Sequence, residues 1–588
     1  MKVRRLLVAA ALFGAASAPV SGAEPTNANP ANAAANAGRN FFRTQCLLCH
    51  SAEVGDSGGA QGPSLAGVVG RKAAATGFGY SAALKSSGLT WDAATLARFL
   101  AAPSTVVPGS AMVIAVPQQA DRDNLVAYFT AVRDGSLSAQ GGAGGPPRGG
   151  GGFGPPPAAP LSQEGADWKK DAPGVVHRVE VAKLPAPGAT PSASNFPTVS
   201  PKPDGAELKL PKGFKAEVYL TGLTGPRAMY VAPNGDVFLS ETQSNRVKVL
   251  RPSANGKTAT ETIFAQGLSQ PYGIALQPAG PNPQWVYISE VNRVVRYPYK
   301  VGDTVATGVP EVVVPQLAPL GTGGHYTRDI VFAPDGKRFW VSVGSQSNVP
   351  DGPTGISIKT ADEVKAWEAT HGLGAPWGGE ENRAMVRMFE VGGDVNGKTW
   401  ASGLRNCVGM TLQPATGDVW CTVNERDNLG DDLVPDYATS VKQGAWYGWP
   451  WYYMGKNEDP RLKDHRPDLA GKATIPDVLF QAHSAATNII FYNASSGASA
   501  FPAEYVGDAF AVLHGSWNRS FRTGHKIVRL PMKNGKPTGE YVDFLTGFIT
   551  ADGGAWGRPV GITVLKDGSL LLTDDGANLI YRISYSKP

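Results

Sequence analysis

Apolar and polar positions alternate in a repeated pattern over residues 206–588. Each repeat has an apolar strand, a turn built from Pro, Asn or Asp with Gly, a second apolar strand, a polar loop and usually a third strand. Residues 403–432 show the unit clearly, with a tight turn at 414–417. Because such units bury their faces only against other sheets, they are predicted to stack radially as an all-β six-bladed β-propeller.

The segment ELKLPKGFKAEVYL opens this region before the first repeat. We expect it to supply the outer strand that closes the ring with the last repeat.

The polar loops at one end of the inner strands of a propeller converge on its axis, so functional residues are sought there. Converging arginines favour a planar polyanion, because a guanidinium presents a flat fork to carboxylates. The run 425–432 is rich in oxygen ligands and favours a hard cation, most plausibly calcium. A histidine among these loops is the group that titrates near neutrality. The candidates are His325, Arg405, Asn406, Asp427, Asn428, Asn518, Arg519 and Arg558.

Residues 1–23 place three cations before a short apolar run that ends in small residues. This pattern predicts a secretory signal peptide and hence a periplasmic location. The apolar run is too short to span a bilayer comfortably and no later segment does better, so no transmembrane segment is expected. Residues 135–205 are rich in Gly and Pro and are interpreted as a flexible linker, although VVHRVEVAKLP within them is a strand candidate without an assigned place.

Cys46, Cys49 and His50 form a C-x-x-C-H motif near the start of residues 24–134. The two thiols are spaced to bond the vinyl groups of one covalent haem c, and the adjacent imidazole reaches one face of its iron. Met112, in PGSAM, is the candidate ligand for the other face. A redox dithiol or half of a zinc site are the alternatives for the cysteines alone.

Charge adds little to this picture. The formal net charge is +5, and removing the three cations of the signal peptide leaves 5 − 3 = +2. No basic run stands out, which argues against a nucleic-acid partner. The abundance of Gly (72) and Pro (47) fits many short strands and turns together with a linker.

Residues 24–134 resemble class I bacterial cytochromes c through GPSLAGVVGRKAAATGFGYSAALKSSGLTWDAATLARFLAAPSTVVPGSAM. The resemblance implies a small all-α cytochrome c domain that precedes the propeller. It also implies that the Pro63 carbonyl orients His50, and that Tyr80 and Trp91 contact the haem propionates.

Residues 206–588 resemble the soluble pyrroloquinoline quinone (PQQ)-dependent sugar dehydrogenases, and most closely the sorbosone dehydrogenase branch. The matching stretches are GGHYTRDIVFAPDGKRFWVSVG, GLRNCVGMTLQPATGDVW, NERDNLGDDLVPDY, GAWYGWPW, HGSWNRS and WGRPVGITVLKDGSLLLTDDG.

This second resemblance implies a role for each axial candidate. His325 matches the general base, Arg405 and Asn406 match the pair that binds the quinone, and Arg558 matches an arginine over it. The backbone carbonyls of Asp427 and Asn428 match the calcium turn, although the relatives have Gly-Pro there. Arg519 follows Asn518 where the relatives have a lysine, so Arg519 is expected to supply that charge.

Together these features predict an exported quinohaemoprotein dehydrogenase. It would oxidise an aldose, a sugar aldehyde or a polyol with PQQ, and pass electrons through haem c to a respiratory acceptor. Two alternatives stay open: a calcium-dependent propeller lactonase or hydrolase with a separate cytochrome module, and a propeller that only binds a carbohydrate or a partner.

Cys407 and Cys421 lie on consecutive predicted strands, where an export compartment would permit a disulfide. If Gln413 faces Asp418 across the turn, strict alternation places the two cysteines on opposite faces and argues against the bond. The pairing is left open.

Overall fold

The structure is a computed structural model that describes residues 30–42, 46, 50, 52, 62–76, 80–110, 112, 115–116, 118–134, 167–193, 195, 197, 199–319, 324–350, 356–357 and 359–587. The predicted signal peptide 1–23, Cys49 and residues 135–166 of the predicted linker lie outside the described residues. The chain divides into two compact units, residues 1–43, 51–57 and 63–142 in one and residues 44–50, 58–62 and 143–588 in the other.

The described part of the first unit is helical. Asp92 caps the third helix, because its carboxylate accepts a hydrogen bond of 2.7 Å from the Thr95 N–H. The first and last helices pack together, and Phe42 contacts the rings of Tyr128 and Phe129 at 5.6 Å each. This packing confirms the predicted all-α class. The helices are α1 (Pro30–Phe41), α2 (Ala82–Ser86), α3 (Ala93–Ala101), α4 (Pro103–Val106) and α5 (Gln119–Arg133).

The second unit consists mainly of antiparallel sheets. Two strands, β1 (Val176–His177) and β2 (Phe214–Leu220), precede the repeats. Blade one contains β3 (Pro226–Val231), β4 (Val237–Glu241), β5 (Arg246–Pro252) and β6 (Ala259–Gln266). Blade two contains β7 (Ile274–Gln277), β8 (Trp285–Ser289), β9 (Val294–Pro298) and β10 (Glu311–Val314). Blade three contains β11 (Ile330–Phe332), β12 (Arg338–Val343), β13 (Met385–Glu390) and β14 (Lys398–Ser402), with helix α6 (Ala361–His371) inserted between β12 and β13.

The remaining blades follow the same order. Blade four contains β15 (Cys407–Leu412), β16 (Val419–Val423), β17 (Pro435–Ser440) and β20 (Val478–Ala482), and carries the hairpin β18 (Tyr452–Tyr453) and β19 (Asn457–Glu458). Blade five contains β21 (Ala486–Phe491), β22 (Ala509–Leu513), β23 (Lys526–Leu530) and β26 (Tyr541–Leu545), and carries β24 (Met532–Lys533) and β25 (Lys536–Pro537). Blade six contains β27 (Pro559–Val564), β28 (Leu570–Asp574) and β29 (Leu579–Tyr585).

Strand β2 pairs with β29 and completes blade six, as expected for the segment that opens the region. The innermost strands β3, β7, β11, β15, β21 and β27 contact one another in ring order, including β27 with β3. An apolar cluster fills the space between each pair of neighbouring blades. The predicted six-bladed β-propeller is therefore confirmed. Among the described helices, none combines the length and the apolar character that a membrane span requires.

Cys407 and Cys421 form a disulfide, with Cα atoms 5.9 Å apart. The ladder pairs Gly409 with Thr422 but then pairs Cys407 with Val423, so Val408 is an extra, bulged residue. A bulge reverses the alternation beyond it, and Cys407 therefore lies on the same face as Cys421. Strict alternation failed here because it assumed an unbroken ladder.

The described part of the predicted linker lies against the propeller. Strand β1 pairs with β26, through Val176 with Val542 and His177 with Tyr541. Further along, the Asn195 side-chain amide donates to the carbonyl of Ser520 at 3.1 Å. Described residues within 167–205 thus contact the edge and the loops of the propeller, although they lack a core of their own. The linker role of residues 135–205 stays a prediction.

Candidate active site

Most of the candidate residues lie at one rim of the propeller. Each blade is an antiparallel meander, so the loop before its first strand and the loop after its second strand reach the same end. His325, Arg405 and Arg558 precede β11, β15 and β27, and Asp427 and His514 follow β16 and β22. The sequence pattern predicted this convergence correctly.

His325 is half-buried, and its ring is oriented by the loop after β12. Its Nδ1–H donates to the Ser345 carbonyl at 2.9 Å, which leaves the lone pair on Nε2. Burial and the charge of Arg405 lower the pKa of His325 to about 3. The imidazole is therefore neutral at physiological pH and presents Nε2 as a proton acceptor.

Arg405 is buried beside His325. Its guanidinium donates to the Glu425 carbonyl at 2.7 Å, to Asn348 Oδ1 at 3.0 Å and to Asp427 Oδ2 at 3.1 Å. Asn348 also accepts from the Asp427 N–H at 2.9 Å, so one amide side chain fixes both the arginine and the loop after β16.

Asn406 lies close to His325. A Cβ placed on Gly344 would lie 2.4 Å from Asn406 Oδ1 and 2.7 Å from the Cβ of His325. Only a glycine permits this close approach, which brings the amide of Asn406 against His325.

Arg558 belongs to a second cluster on the same rim. Its Nη2 donates to His514 Nδ1 at 2.9 Å, and His514 Nε2 donates to Asp575 Oδ1 at 2.8 Å. The other oxygen of Asp575 accepts from Arg227 Nη1 at 2.7 Å. Burial and the charge of Arg558 lower the pKa of His514 to about 4.

The two clusters are adjacent. The guanidinium of Arg227 lies 5.9 Å from the ring of Tyr326, which directly follows His325 in the chain. It also lies 5.6 Å from the ring of Tyr272. His325, Arg405 and Arg558 therefore surround one region of the rim.

The axis is closed beneath this region. The Tyr272 hydroxyl, from blade two, donates to the Thr487 carbonyl of blade five at 3.1 Å. These blades are opposite in a ring of six, so the side chain crosses the axis. Ala228 and Val408, from the opposite blades one and four, pack with Tyr272 as a buried cluster.

Arg519 is not brought to this region in the expected way. Its guanidinium donates to the Asp431 carbonyl and pairs with Asp432 Oδ1 at 2.7 Å. Asn518 Oδ1 accepts from the Asn428 N–H at 2.7 Å. Both residues therefore bind the loop after β16, and the expected role of Arg519 on the quinone stays a prediction.

Asp427 does not fit the expected calcium ligand. Its backbone carbonyl accepts from Arg426 Nη1 at 2.6 Å and from Asn348 Nδ2 at 3.1 Å, so both lone pairs are used and one partner is a cation. Although burial acts in the other direction, His483 and Arg405 lower the pKa of the Asp427 carboxyl. Asn428 is exposed and adopts a positive φ of 69°. We derive no step through calcium.

The same residues do fit a planar, acidic quinone. Buried Nε atoms of Arg227, Arg405 and Arg558 have no hydrogen-bond partner in the described part of the chain, and neither has Asn406 Oδ1. Arg227 and Arg558 also share the single carboxylate of Asp575. Unused donors and excess positive charge on one rim favour an anionic ligand with several acceptors.

Of the four candidate haem residues, the structure describes Cys46, His50 and Met112. The His50 N–H donates to the Cys46 carbonyl at 2.8 Å, and a Cβ on Gly62 would lie 2.3 Å from His50 Cε1, so the ring packs against this glycine. Met112 is half-buried, and its N–H donates to Ser110 Oγ at 3.2 Å. Trp91 is buried against Phe99, with ring centroids 4.8 Å apart. The axial roles of His50 and Met112 stay predictions.

Sequence reasoning missed several residues of the rim. His514 and Asp575 stand in HGSWNRS and LTDDG, and Asn348 ends the third repeat. The position of His514 and Asp575 after the second strand of a blade is the signal that could have identified them.

Comparisons with known proteins agree with both halves of the chain. The TrAA12-like family matches residues 208–444 and 456–586. Cytochrome c of Tetrahymena pyriformis is 48% identical over 99 residues, which cover 17% of this chain and 88% of that protein. The holo PQQ domain of pyranose dehydrogenase from Coprinopsis cinerea has a TM-score of 0.52 at 20% identity, over 65% of this chain and 98% of that chain.

A second solved structure, a carbohydrate-active enzyme of family AA12 from Trichoderma reesei, has a TM-score of 0.51 at 21% identity. It covers 67% of this chain and 100% of its own length. At these identities the solved structures support the propeller fold.

Proposed function

The chain belongs to the TrAA12-like family and carries a cytochrome c domain before its propeller, and from this premise we propose that it is a quinohaemoprotein dehydrogenase. The propeller oxidises an aldose, a sugar aldehyde of the sorbosone type or a related polyol with PQQ. The electrons pass to the covalent haem c and then to a respiratory acceptor. The pyranose dehydrogenase domain with a similar fold supports a sugar substrate.

One observation carries the proposal. A neutral imidazole, three guanidinium groups with buried, unused Nε donors and an unpartnered amide oxygen lie together on one rim. A lactonase or a binding propeller has no need of guanidinium groups around a planar polyanion. A one-electron carrier in the same chain also favours redox chemistry over hydrolysis.

The bound quinone would accept a hydride from the substrate, and the haem would accept electrons singly. His325 Nε2 takes the hydroxyl proton of the substrate, while Ser345 keeps the ring in one tautomer and orientation. Arg405, Asn406 and Arg558 bind and orient the quinone. Tyr272 closes the base of the site and limits the entry of water.

The remaining proposals concern the haem and the compartment. Cys46 and Cys49 bind the haem, and His50 and Met112 ligate its iron. The predicted signal peptide 1–23 directs the protein to the periplasm, where a cytochrome, an oxidase or a quinone accepts the electrons.

The decisive experiment follows the haem absorption band of the purified full-length protein during a screen of sugars, sugar aldehydes and polyols. The screen is run with and without added quinone, each in calcium and in a calcium chelator. Haem reduction that requires the quinone supports the proposal. Lactone opening without haem reduction would support the hydrolase alternative. The absence of both reactions would support a propeller that only binds a carbohydrate or a partner.

His325→Gln separates catalysis from binding. The variant is expected to lower the rate of haem reduction by about a hundredfold or more, since a general base contributes this much. The affinity of this variant for quinone, measured by fluorescence, should equal that of the wild type. His465→Ala changes an exposed histidine and is the matched control. If His325→Gln reduced the haem at the wild-type rate, the assigned base would be wrong.

A further inference from the structure

A cavity of about 430 Å³ lies in the propeller unit beside blade five. Its walls come from the loop before β23, from the loop after β26 and from the short helical turn Asp167–Lys170 that precedes β1. A volume of this size suits a small organic ligand. The side chains that define it are Trp168, Lys169, Asp171, Lys209, His525 and Thr546.

Buried ion pairs fix the wall that the turn supplies. Lys526 is 1% exposed, and its Nζ lies 2.8 Å from a carboxylate oxygen of both Asp171 and Asp543. His177 Nε2 lies 3.0 Å from Asp543 on the other side. The lysine ammonium therefore occupies the position between the carboxylates that a metal would need. The group is a salt-bridge network that attaches Trp168 to the propeller.

Three lining residues carry buried polar atoms that the described part of the chain leaves without a partner. These atoms are Trp168 Nε1, His525 Nε2 and Thr546 Oγ1, and Thr546 is only 3% exposed. Buried donors and hydroxyls in native proteins are almost always hydrogen-bonded. A polar ligand in the cavity would supply the missing partners.

The charge of the cavity is positive. Lys169 and Lys209 are exposed at its walls, and the lining carboxylate of Asp171 is paired with Lys526. The Lys169 ammonium lies 5.4 Å from the centre of the Trp168 ring, so cationic and flat apolar surfaces are adjacent.

From this combination we propose that the cavity binds a sugar acid, a monosaccharide that carries a carboxylate. Lys209 pairs with the carboxylate, the Trp168 ring packs on the apolar face of the sugar, and Trp168 Nε1 and Thr546 Oγ1 bind its hydroxyls. The cavity adjoins the axial rim, because Nδ1 of its lining residue His525 lies 3.0 Å from the carbonyl of Gly557, next to Arg558. The groups proposed to bind the sugar acid are nevertheless different from those proposed for the oxidation.

Isothermal titration calorimetry of the full-length protein with glucuronate tests the proposal, with glucose as the uncharged match. Glucuronate is expected to bind and glucose to bind at least about tenfold more weakly, because a charge-assisted hydrogen bond is lost. Lys209→Ala and Thr546→Val should each weaken the binding of glucuronate by about fivefold to tenfold. Trp168→Ala should abolish binding while the thermal midpoint shows that the variant is folded.

Two controls make the result specific. Lys170→Ala removes the neighbouring exposed lysine that does not line the cavity, and His325→Gln alters the axial site. Both should leave the affinity for glucuronate unchanged. Absence of binding at millimolar glucuronate would overturn the site. The site would also be overturned if His325→Gln weakened the binding of glucuronate and Lys209→Ala did not. Equal affinities for glucose and glucuronate would overturn the carboxylate as the recognised group.

Discussion

At the scale of single residues, burial decides the protonation of the rim. His325 and His514 both have pKa values below that of a free imidazole, first because water is excluded and second because an arginine lies beside each. A neutral imidazole can accept a proton, whereas an imidazolium cannot. The arginines that attract an anionic ligand therefore also keep the proposed base unprotonated before the ligand arrives.

The depressed pKa of His514 predicts a loss of stability in mild acid. The unfolded chain takes up a proton near pH 6.5, but the folded chain does so only near pH 4, so the unfolded state binds more protons between these values. The free energy of unfolding should therefore fall as the pH is lowered, by about 1.4 kcal/mol per pH unit for this group. Urea unfolding at pH 7 and pH 5 measures this change in the free energy of unfolding.

His514→Gln should reduce this pH dependence, and His465→Gln, at an exposed position, should leave it unchanged. An identical dependence in the wild type and in His514→Gln would contradict the neutral buried state of His514.

Asn348 predicts a positioning effect on the quinone site. Asn348→Ala removes the acceptor of Arg405 and both hydrogen bonds to the Asp427 backbone. Loss of one charge-assisted bond should weaken quinone binding by about tenfold. A fluorescence titration with quinone measures it, with the exposed Asn493→Ala as control. An unchanged dissociation constant would show that Arg405 keeps its place without Asn348.

Position was predictable where the motif and the place in the blade agreed: His325, Arg405 and Arg558 lie in loops at one rim, while their roles stay predictions. A contact was not predictable where a side chain had two possible partners. Arg519 stands in the right motif, yet it pairs with Asp432, which only the three-dimensional arrangement of the loop after β16 reveals. Likewise, the lone pairs of the Asp427 carbonyl are used by two side chains that no sequence spacing indicates.

At the scale of elements, β2 joins the two ends of the ring. Phe214, its first residue, contacts the rings of Phe501 and Phe544 in the blade-five region at 4.7 and 5.0 Å, and that of Tyr585 on β29 at 5.0 Å. One aromatic side chain thus connects blade six to blade five.

Phe214→Ala should therefore destabilise the propeller by about 3 kcal/mol, the usual cost of removing a packed phenyl ring. Lys215→Ala, on the next residue of the same strand, is exposed and should change stability by less than about 0.5 kcal/mol. Urea unfolding of the two variants makes the comparison. Equal effects would contradict closure through this aromatic contact.

The pattern of strands was readable because alternation and turn residues recur in every blade. Two local features were not. The bulge at Val408 follows from no residue type, and it alone allows the Cys407–Cys421 bond. Residues 167–205 lack the composition of a core, yet Val176 and His177 among them pair with β26.

At the scale of the whole molecule, one chain links a cytochrome c domain to a propeller. The tether predicts that electrons reach the haem of the same chain, because its effective concentration exceeds that of other chains. The rate of haem reduction should then stay constant over a tenfold range of protein concentration in stopped-flow measurements. A rate that rises with protein concentration would indicate transfer between molecules.

A mixture of two defective chains supplies the control. Cys46→Ala/Cys49→Ala lacks the haem and His325→Gln lacks the base, so neither alone should show substrate-driven haem reduction. Their mixture should remain inactive as well if transfer stays within one chain.

The side chain of Tyr272 spans the axis and reaches the opposite blade, and Ala228 and Val408 fill the remaining space. The rim is thus the mouth of a cavity that Tyr272, Ala228 and Val408 close on the axis. If the proposed quinone binds at the base of this cavity, it must enter before the substrate and leave after it, and an oxidised product at the mouth would delay the next substrate molecule.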